Sequence, residues 1–221
     1  MEIVAYRDWT DVTPTGPLIS LPTPTPRLWL HHGAGGTSTV KTARVYARYH
    51  VVKRGYSRVG YSFLIAEGKI LEGRGAGVIG AHTLGDNSFS HGICMVGDYT
   101  LATPSPADLD ALKWLVSHGA SERWWATSSI TGGHRDAPGA STSCPGDALY
   151  ALIPQINAGM GEEMNPRQEA KLDAALARLA EIERTLGSRP GGKVLDDLGK
   201  IRRTMRAYFR QQKLPEDQIE V

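Results

Sequence analysis

An α/β fold, with a central mixed β-sheet flanked by helices and a C-terminal α-helical hairpin, is the class that this 221-residue sequence predicts. Three observations lead there. Short apolar runs alternate with segments of helical spacing between residues 27 and 156, as expected for one sheet covered by helices. The composition then changes at Asn157–Pro166 (NAGMGEEMNP), which reads as a break. Beyond it no strand signal occurs, only two helical stretches split by Gly187–Gly192. The expected organisation is therefore a domain over residues 1–157 whose first 26 residues are an extended lead-in. A linker over 158–166, a helical tail over 167–213 and a flexible end over 214–221 follow.

Each element has its own reason. Residues 11–26 (DVTPTGPLISLPTPTP) are too rich in Pro and Thr for regular structure. Arg27–His31 (RLWLH) reads as a buried strand ending in polar residues. From Thr37 to Lys53, Val40, Ala43, Ala47 and Val51 fall at helical spacing, and Gly55 stops the helix. Gly60–Ala66 and Lys69–Glu72 flank Glu67-Gly68, a hairpin signal. His91–Val96 is another apolar strand. Ser105-Pro106-Ala107-Asp108 forms a capping box with Pro in the first helical position. The helix it starts carries Leu109, Leu112, Leu115 and Val116 towards Trp124. Ser128–Thr131 is expected as a short strand and Gly146–Ile156 as a closing helix.

Composition narrows the function classes. A net charge of +2 gives no global argument for nucleic acid. No apolar run approaches the roughly 18–20 residues that cross a bilayer, so membrane insertion is not expected. The opening MEIVAYRDWTDV lacks the basic start and apolar core of a secretory signal, so a cytoplasmic site of synthesis is expected. Two cysteines, Cys94 and Cys144, are too few for a disulfide scaffold. Free thiols, or a thiolate ligand, suit them better.

Three pieces carry chemistry: His31-His32 at a strand end, Gly133-His134-Arg135-Asp136 after a strand, and Cys144-Pro145-Gly146 ten residues later. Zinc prefers imidazole and thiolate, and catalytic sites take three protein ligands and leave one position open. Spacing alone leaves a plainer alternative, in which His31 is a polar strand end and Cys144 a small buried hydrophobe.

The ordered strings LWLHHGAGG, GYSFLI…KILEGRG, GAHTLGDNSFSHGICMVGDY and GGHRD…TSCPGD change that weighting. Over roughly residues 1 to 157, with the lead-in YRDW, the chain resembles the zinc-dependent N-acetylmuramoyl-L-alanine amidases of the type 2 amidase and peptidoglycan-recognition family, which includes phage endolysins. The resemblance implies an open groove with one Zn2+ held by His31, His134 and Cys144, His32 being the alternative to His31. Tyr61 matches the family's catalytic tyrosine, whose hydroxyl donates to a developing oxyanion; its other reading is a core aromatic. Thr142 stands where phage and recycling amidases often carry lysine, and as in enzymatic peptidoglycan-recognition proteins it offers a neutral hydrogen bond. The implied reaction is zinc-dependent hydrolysis of the amide between N-acetylmuramic acid and L-alanine.

Other residues take lesser roles. His82 and Asn87, around a Gly-rich turn, are candidates for substrate binding, with a surface-loop histidine as the alternative for His82. Asp136 is expected to orient a ligand or brace its loop. Glu72 and Arg74 read as structural, Cys94 as buried and inert, and His50, His91 and His118 as ordinary packing or surface residues.

Three rivals remain. A recognition module that binds peptidoglycan without cutting it is disfavoured by the complete set of His31, Tyr61, His134 and Cys144. A structural zinc site needs a fourth ligand, for which only Cys94 is available. A cysteine nucleophile would be indifferent to chelators. The setting is either phage-induced host lysis, with holin-dependent release from the host cytoplasm, or cytoplasmic wall recycling. The tail favours lysis, and the Ala-, Gly- and Arg-rich composition hints at a high-GC host.

In the tail, Leu172, Ala175, Leu179, Ile182 and Leu186 follow three-four spacing, as do Val194, Leu198, Ile201, Met205 and Tyr208. Two helices this short usually need a partner surface, so a homo-oligomer through the tail is expected, with docking on the first domain as the alternative. Lys193 to Lys213 holds seven basic and two acidic residues, suited to an anionic wall polymer. Met164, after Gly161-Glu162-Glu163, permits an internal translation start.

Overall fold

The computed structural model describes residues 1–159, together with Ala174 and Ala177. One compact unit spans Met1–Asn157 and the second runs from Ala158 to Val221. The expected hairpin, its self-association and the Met164 start lie outside the described residues.

The first unit is built on six strands: β1 (Ile3–Val4), β2 (Arg27–His32), β3 (Phe63–Ala66), β4 (Lys69–Glu72), β5 (Ser90–Met95) and β6 (Gly132–Gly133). Their order is β1-β4-β3-β5-β2-β6, antiparallel at β3–β4 and parallel elsewhere. The sheet is mixed, as expected. Central parallel strands are covered on both faces and read as continuous apolar runs. β2, β3 and β5 are accordingly buried almost throughout. The β3–β4 hairpin turns at Glu67-Gly68, both with positive φ (54° and 66°), the conformation that matches strand twist.

Helices cover the two faces. α2 (Val40–Arg48) starts at Thr39, whose side chain accepts from Thr42 N–H, and continues as a π turn over Tyr49–Lys53. It places Ala43, Ala47 and Val51 against Leu64, Leu71 and Cys94. α3 (Pro106–Ser121) packs on β3 and β4 from the other side, with Leu112, Leu115 and Val116 fully buried. Its N-terminus is capped as the sequence indicates, with Ser105 Oγ accepting from Asp108 N–H at 3.1 Å. α4 (Asp147–Gly159) closes the unit.

Two expectations need correction. The lead-in is not wholly extended, because β1 and a four-residue helix α1 (Tyr6–Trp9) lie within it. Tyr6 N–H donates to the Glu72 carboxylate and Trp9 Nε1 to the Glu72 carbonyl, both at 2.8 Å, so a residue 63–66 positions away orders this segment. The strand expected at Ser128–Thr131 is displaced to Gly132–Gly133. Thr131 instead holds β2 at its start through two hydrogen bonds with the Leu28 backbone.

Candidate metal centre

In open α/β sheets, ligands gather beyond the carboxyl ends of the parallel strands. β2 ends there with His31 and His32. Successive side chains alternate between faces, and the two histidines separate accordingly. His31, paired with Cys94 in the sheet register, turns towards Tyr61 and His134, at ring distances of 5.3 and 4.6 Å. The ring of His32 turns away. Its Nδ1 accepts from Tyr99 N–H at 3.2 Å and lies 3.7 Å from the Asp98 carboxylate. Of the two, His31 is the one in the group of described residues that could hold a metal.

β6 delivers His134. Gly133 must be glycine here, since a Cβ would come within 2.5 Å of the Pro145 ring. That contact brings the Cys144 loop back beside His134. Arg135 then clamps the loop. Its guanidinium donates to the carbonyls of Ser143 and Cys144 and, at 2.8 Å, to the Asp147 carboxylate, while lying over the Tyr150 ring. Asp136 braces the same turn by accepting from Gly133 N–H and from the Tyr150 hydroxyl, each at 2.9 Å. Of its two expected roles, bracing is the one this geometry supports.

Among the described residues, the group able to hold a metal is His31, His134 and Cys144, with one donor atom from each lying within 4.8 Å of the others. The Cys144 Sγ is 3.8 Å from His31 Nδ1. Two imidazoles and a thiol suit zinc. Cys94 is fully buried and directs its thiol at the Met95 carbonyl, outside the group. Among the described residues the candidate site therefore offers three protein donors, the number typical of catalytic zinc rather than the four of structural zinc.

Burial sets the charge states. Burial first, then neighbouring histidines, holds His31 well below the usual imidazole range, and burial also lowers His134. Both stay neutral, as metal ligands must. Burial pushes the Cys144 thiol up to about 11, so it is no ready nucleophile on its own. A divalent cation is the partner that would draw out its thiolate. The phenol of half-buried Tyr61 is raised well above its usual value, by burial and then by the Cys94 and Cys144 thiols. It keeps its proton and remains a donor.

The remaining candidates fall in unequal places. Thr142 is exposed, two residues before Cys144; its Oγ1 accepts from Cys144 N–H at 3.1 Å and donates to no partner among the described residues. His82 is not a surface-loop histidine: it is only 8% exposed and sits behind His31, with its Nδ1 3.2 Å from His31 Nε2. The Asn87 Oδ1 accepts from His82 and Thr83 N–H at 2.9 Å each and so shapes the His82 loop. Glu72 and Arg74 hold backbone and side-chain partners within the fold, as the structural reading of both requires. His91 is buried against the Thr25 hydroxyl. Sequence reasoning passed over Arg135; its place between His134 and Asp136 was the available signal.

Comparison with known proteins agrees with this geometry. A family model described as N-acetylmuramoyl-L-alanine amidase matches residues 22–147. Peptidoglycan-recognition protein SD of Drosophila simulans is 33% identical over 159 residues, covering 69% of this chain and 84% of that protein. The N-acetylmuramoyl-L-alanine amidase of Homo sapiens is 38% identical over 119 residues, which is 53% of this chain but 20% of that one. The solved structure of wild-type Drosophila PGRP-LB superposes with a TM-score of 0.64 at 31% identity, covering 69% of this chain and 92% of that chain.

Proposed function

This chain belongs to the N-acetylmuramoyl-L-alanine amidase family, and from that membership we propose that it hydrolyses the amide joining N-acetylmuramic acid to L-alanine in bacterial peptidoglycan. The observation that carries the reading is the convergence of His31, His134 and Cys144 beside the protonated Tyr61.

His31, His134 and Cys144 would hold the ion. Zinc bound there supplies Lewis acidity towards a carbonyl and makes a water acidic enough to ionise near neutral pH. The chain's own residues do the rest. Neutral His31 and His134 present lone pairs, and Cys144, held by the Arg135 clamp, contributes the single negative charge. The Tyr61 hydroxyl donates a hydrogen bond to the lactyl carbonyl oxygen as negative charge develops, a contact worth most in a site shielded from water. Thr142 keeps a free hydroxyl proton on the exposed side and adds a neutral donor. Mass spectrometry of digested sacculi tests the bond assignment. We expect stem peptides with a free L-alanine amine and intact glycan strands, whereas cleaved sugar–sugar bonds or cuts within the stem would refute it.

We further propose that the activity serves phage-induced host lysis, with the enzyme made in the host cytoplasm and released through a holin pore. The support is the arrangement of the chain. The matched family region ends at residue 147, and a compositionally distinct segment follows with a local excess of basic residues between Lys193 and Lys213. Its expected roles are attachment to an anionic wall polymer and self-association. Expression in a host with and without a co-expressed holin tests the setting, lysis being expected only with both. Sedimentation of the full chain tests self-association, and a salt-sensitive pull-down on purified walls tests attachment.

A further inference from the structure

We propose that His82 is a positioning residue for the metal centre: it accepts the Nε2 proton of His31 and thereby fixes Nδ1 as the atom that His31 offers to zinc. The proposal rests on the zinc reading above and goes beyond the three ligands. A neutral imidazole carries one proton, and the hydrogen bond at one nitrogen decides which nitrogen is free for a metal. In His31, Nδ1 faces Cys144 Sγ at 3.8 Å and Nε2 faces His82 Nδ1 at 3.2 Å. Donation of the Nδ1 lone pair to a metal puts the proton on Nε2. His82 Nδ1, at 3.2 Å, is then the nearer acceptor, with the Thr83 hydroxyl farther off at 3.5 Å. The Thr83 hydroxyl, 2.9 Å from His82 Nδ1, adds a second donor to that nitrogen. The proton of His82 itself then sits on Nε2, a buried nitrogen with no hydrogen-bond partner among the described residues.

The slot around His82 is built for a flat ring. A Cβ at Gly80 would stand 2.3 Å from His82 Cδ2, and one at Gly92 would stand 2.5 Å from His82 Cγ. Two glycines from separate segments therefore let the ring lie between them. Asn87 fixes the backbone on both sides of the Cα by accepting from His82 N–H and Thr83 N–H. Below them, Asp86 is buried and takes hydrogen bonds from Arg27 and from Trp29 Nε1, which ties the loop to β2, the strand that carries His31. Ring, loop and ligand strand thus form one connected support.

The test uses the full chain with zinc as the probe. Partners that orient ligating histidines typically contribute about 10- to 100-fold in metal affinity. Competition with a chelator is expected to show a loss of that size in His82→Phe, which keeps a ring but has no acceptor. His82→Asn places a carbonyl oxygen near the position of Nδ1 and is expected to recover most of the affinity. Nitrogen NMR of zinc-loaded wild type is expected to show His31 bound through Nδ1 with Nε2 protonated. This readout stands even if His82→Phe fails to fold. Zinc affinity unchanged in His82→Phe, an Asn variant as weak as the Phe variant, or His31 bound through Nε2 overturns the proposal alone. Wild-type protein that takes up no zinc overturns the metal reading and this proposal with it.

Discussion

His31 and Cys144 face each other across 3.8 Å, yet different physics holds each of them in place. His31 belongs to a buried strand, hydrogen-bonded to β5 on one side and β6 on the other. Its ring backs onto the buried His82. Cys144 belongs to a loop outside the sheet, tied to β2 only at its thiol, where His32 N–H donates to Sγ at 3.4 Å. Its position depends on the Arg135 guanidinium, on backbone donation from Arg135 N–H to the Cys144 carbonyl at 3.0 Å, and on Asp136 bracing the turn before it. The strand half is rigid because packing leaves it no alternative. The loop half is rigid only while its charged and polar contacts persist.

That contrast predicts unequal consequences for equal losses of metal. Both His31→Ala and Cys144→Ser are expected to abolish zinc binding and amidase activity. Only His31→Ala should also destabilise the apo-protein, by about 1–3 kcal/mol, because it strips a partner from buried His82. Thermal unfolding without metal separates them, and equal unfolding temperatures for the two variants would erase the distinction between the halves. Tyr61→Phe comes next. It removes only the hydroxyl and keeps the ring beside His31, so zinc content should stay complete while turnover falls by about 100-fold or more. An unchanged turnover makes Tyr61 a packing residue.

Arg135→Met probes the loop half alone. Zinc affinity is expected to fall about tenfold, the low end for a residue that acts through a ligand's support, with stability of the strand core little changed. A larger loss of fold than of metal would show that the clamp serves the unit as a whole. The smallest effect belongs to Ser105→Ala, remote from the centre at the start of α3. Losing this cap should cost about 1 kcal/mol in stability and leave zinc affinity as it was. It marks how much of any affinity change reflects general loosening.

The two halves were also unequally legible in the sequence. The apolar strand Arg27–His31, the helix ending before Gly55 and the Ser105 capping box follow from periodicity and local chemistry, and the structure reproduces them within a few residues. The ligand trio came from the family resemblance carried by the ordered motifs, because position at element ends alone left His31 and Cys144 open to plainer readings. What was hidden depended on distant partners. α1 exists because Glu72 captures Tyr6 and Trp9, and no local signal in YRDW announces a helix. β6 is a glycine pair with no strand propensity of its own; it forms because β2 offers an edge and because Pro145 needs the space at Gly133. The place of His82 beside His31 is a matter of how the 82–89 loop folds over β2, 51 positions away in sequence. Small residues at Gly80 and Gly92 were its only trace.

The account stands most directly on the donors around the ion, and X-ray absorption at the zinc edge of the loaded full chain reads them. One zinc per chain is expected, with a single sulfur at about 2.3 Å and nitrogen or oxygen neighbours at about 2.0–2.1 Å, and with no bound zinc in Cys144→Ser. A zinc with no sulfur neighbour, or with two, would contradict a centre made from His31, His134 and Cys144.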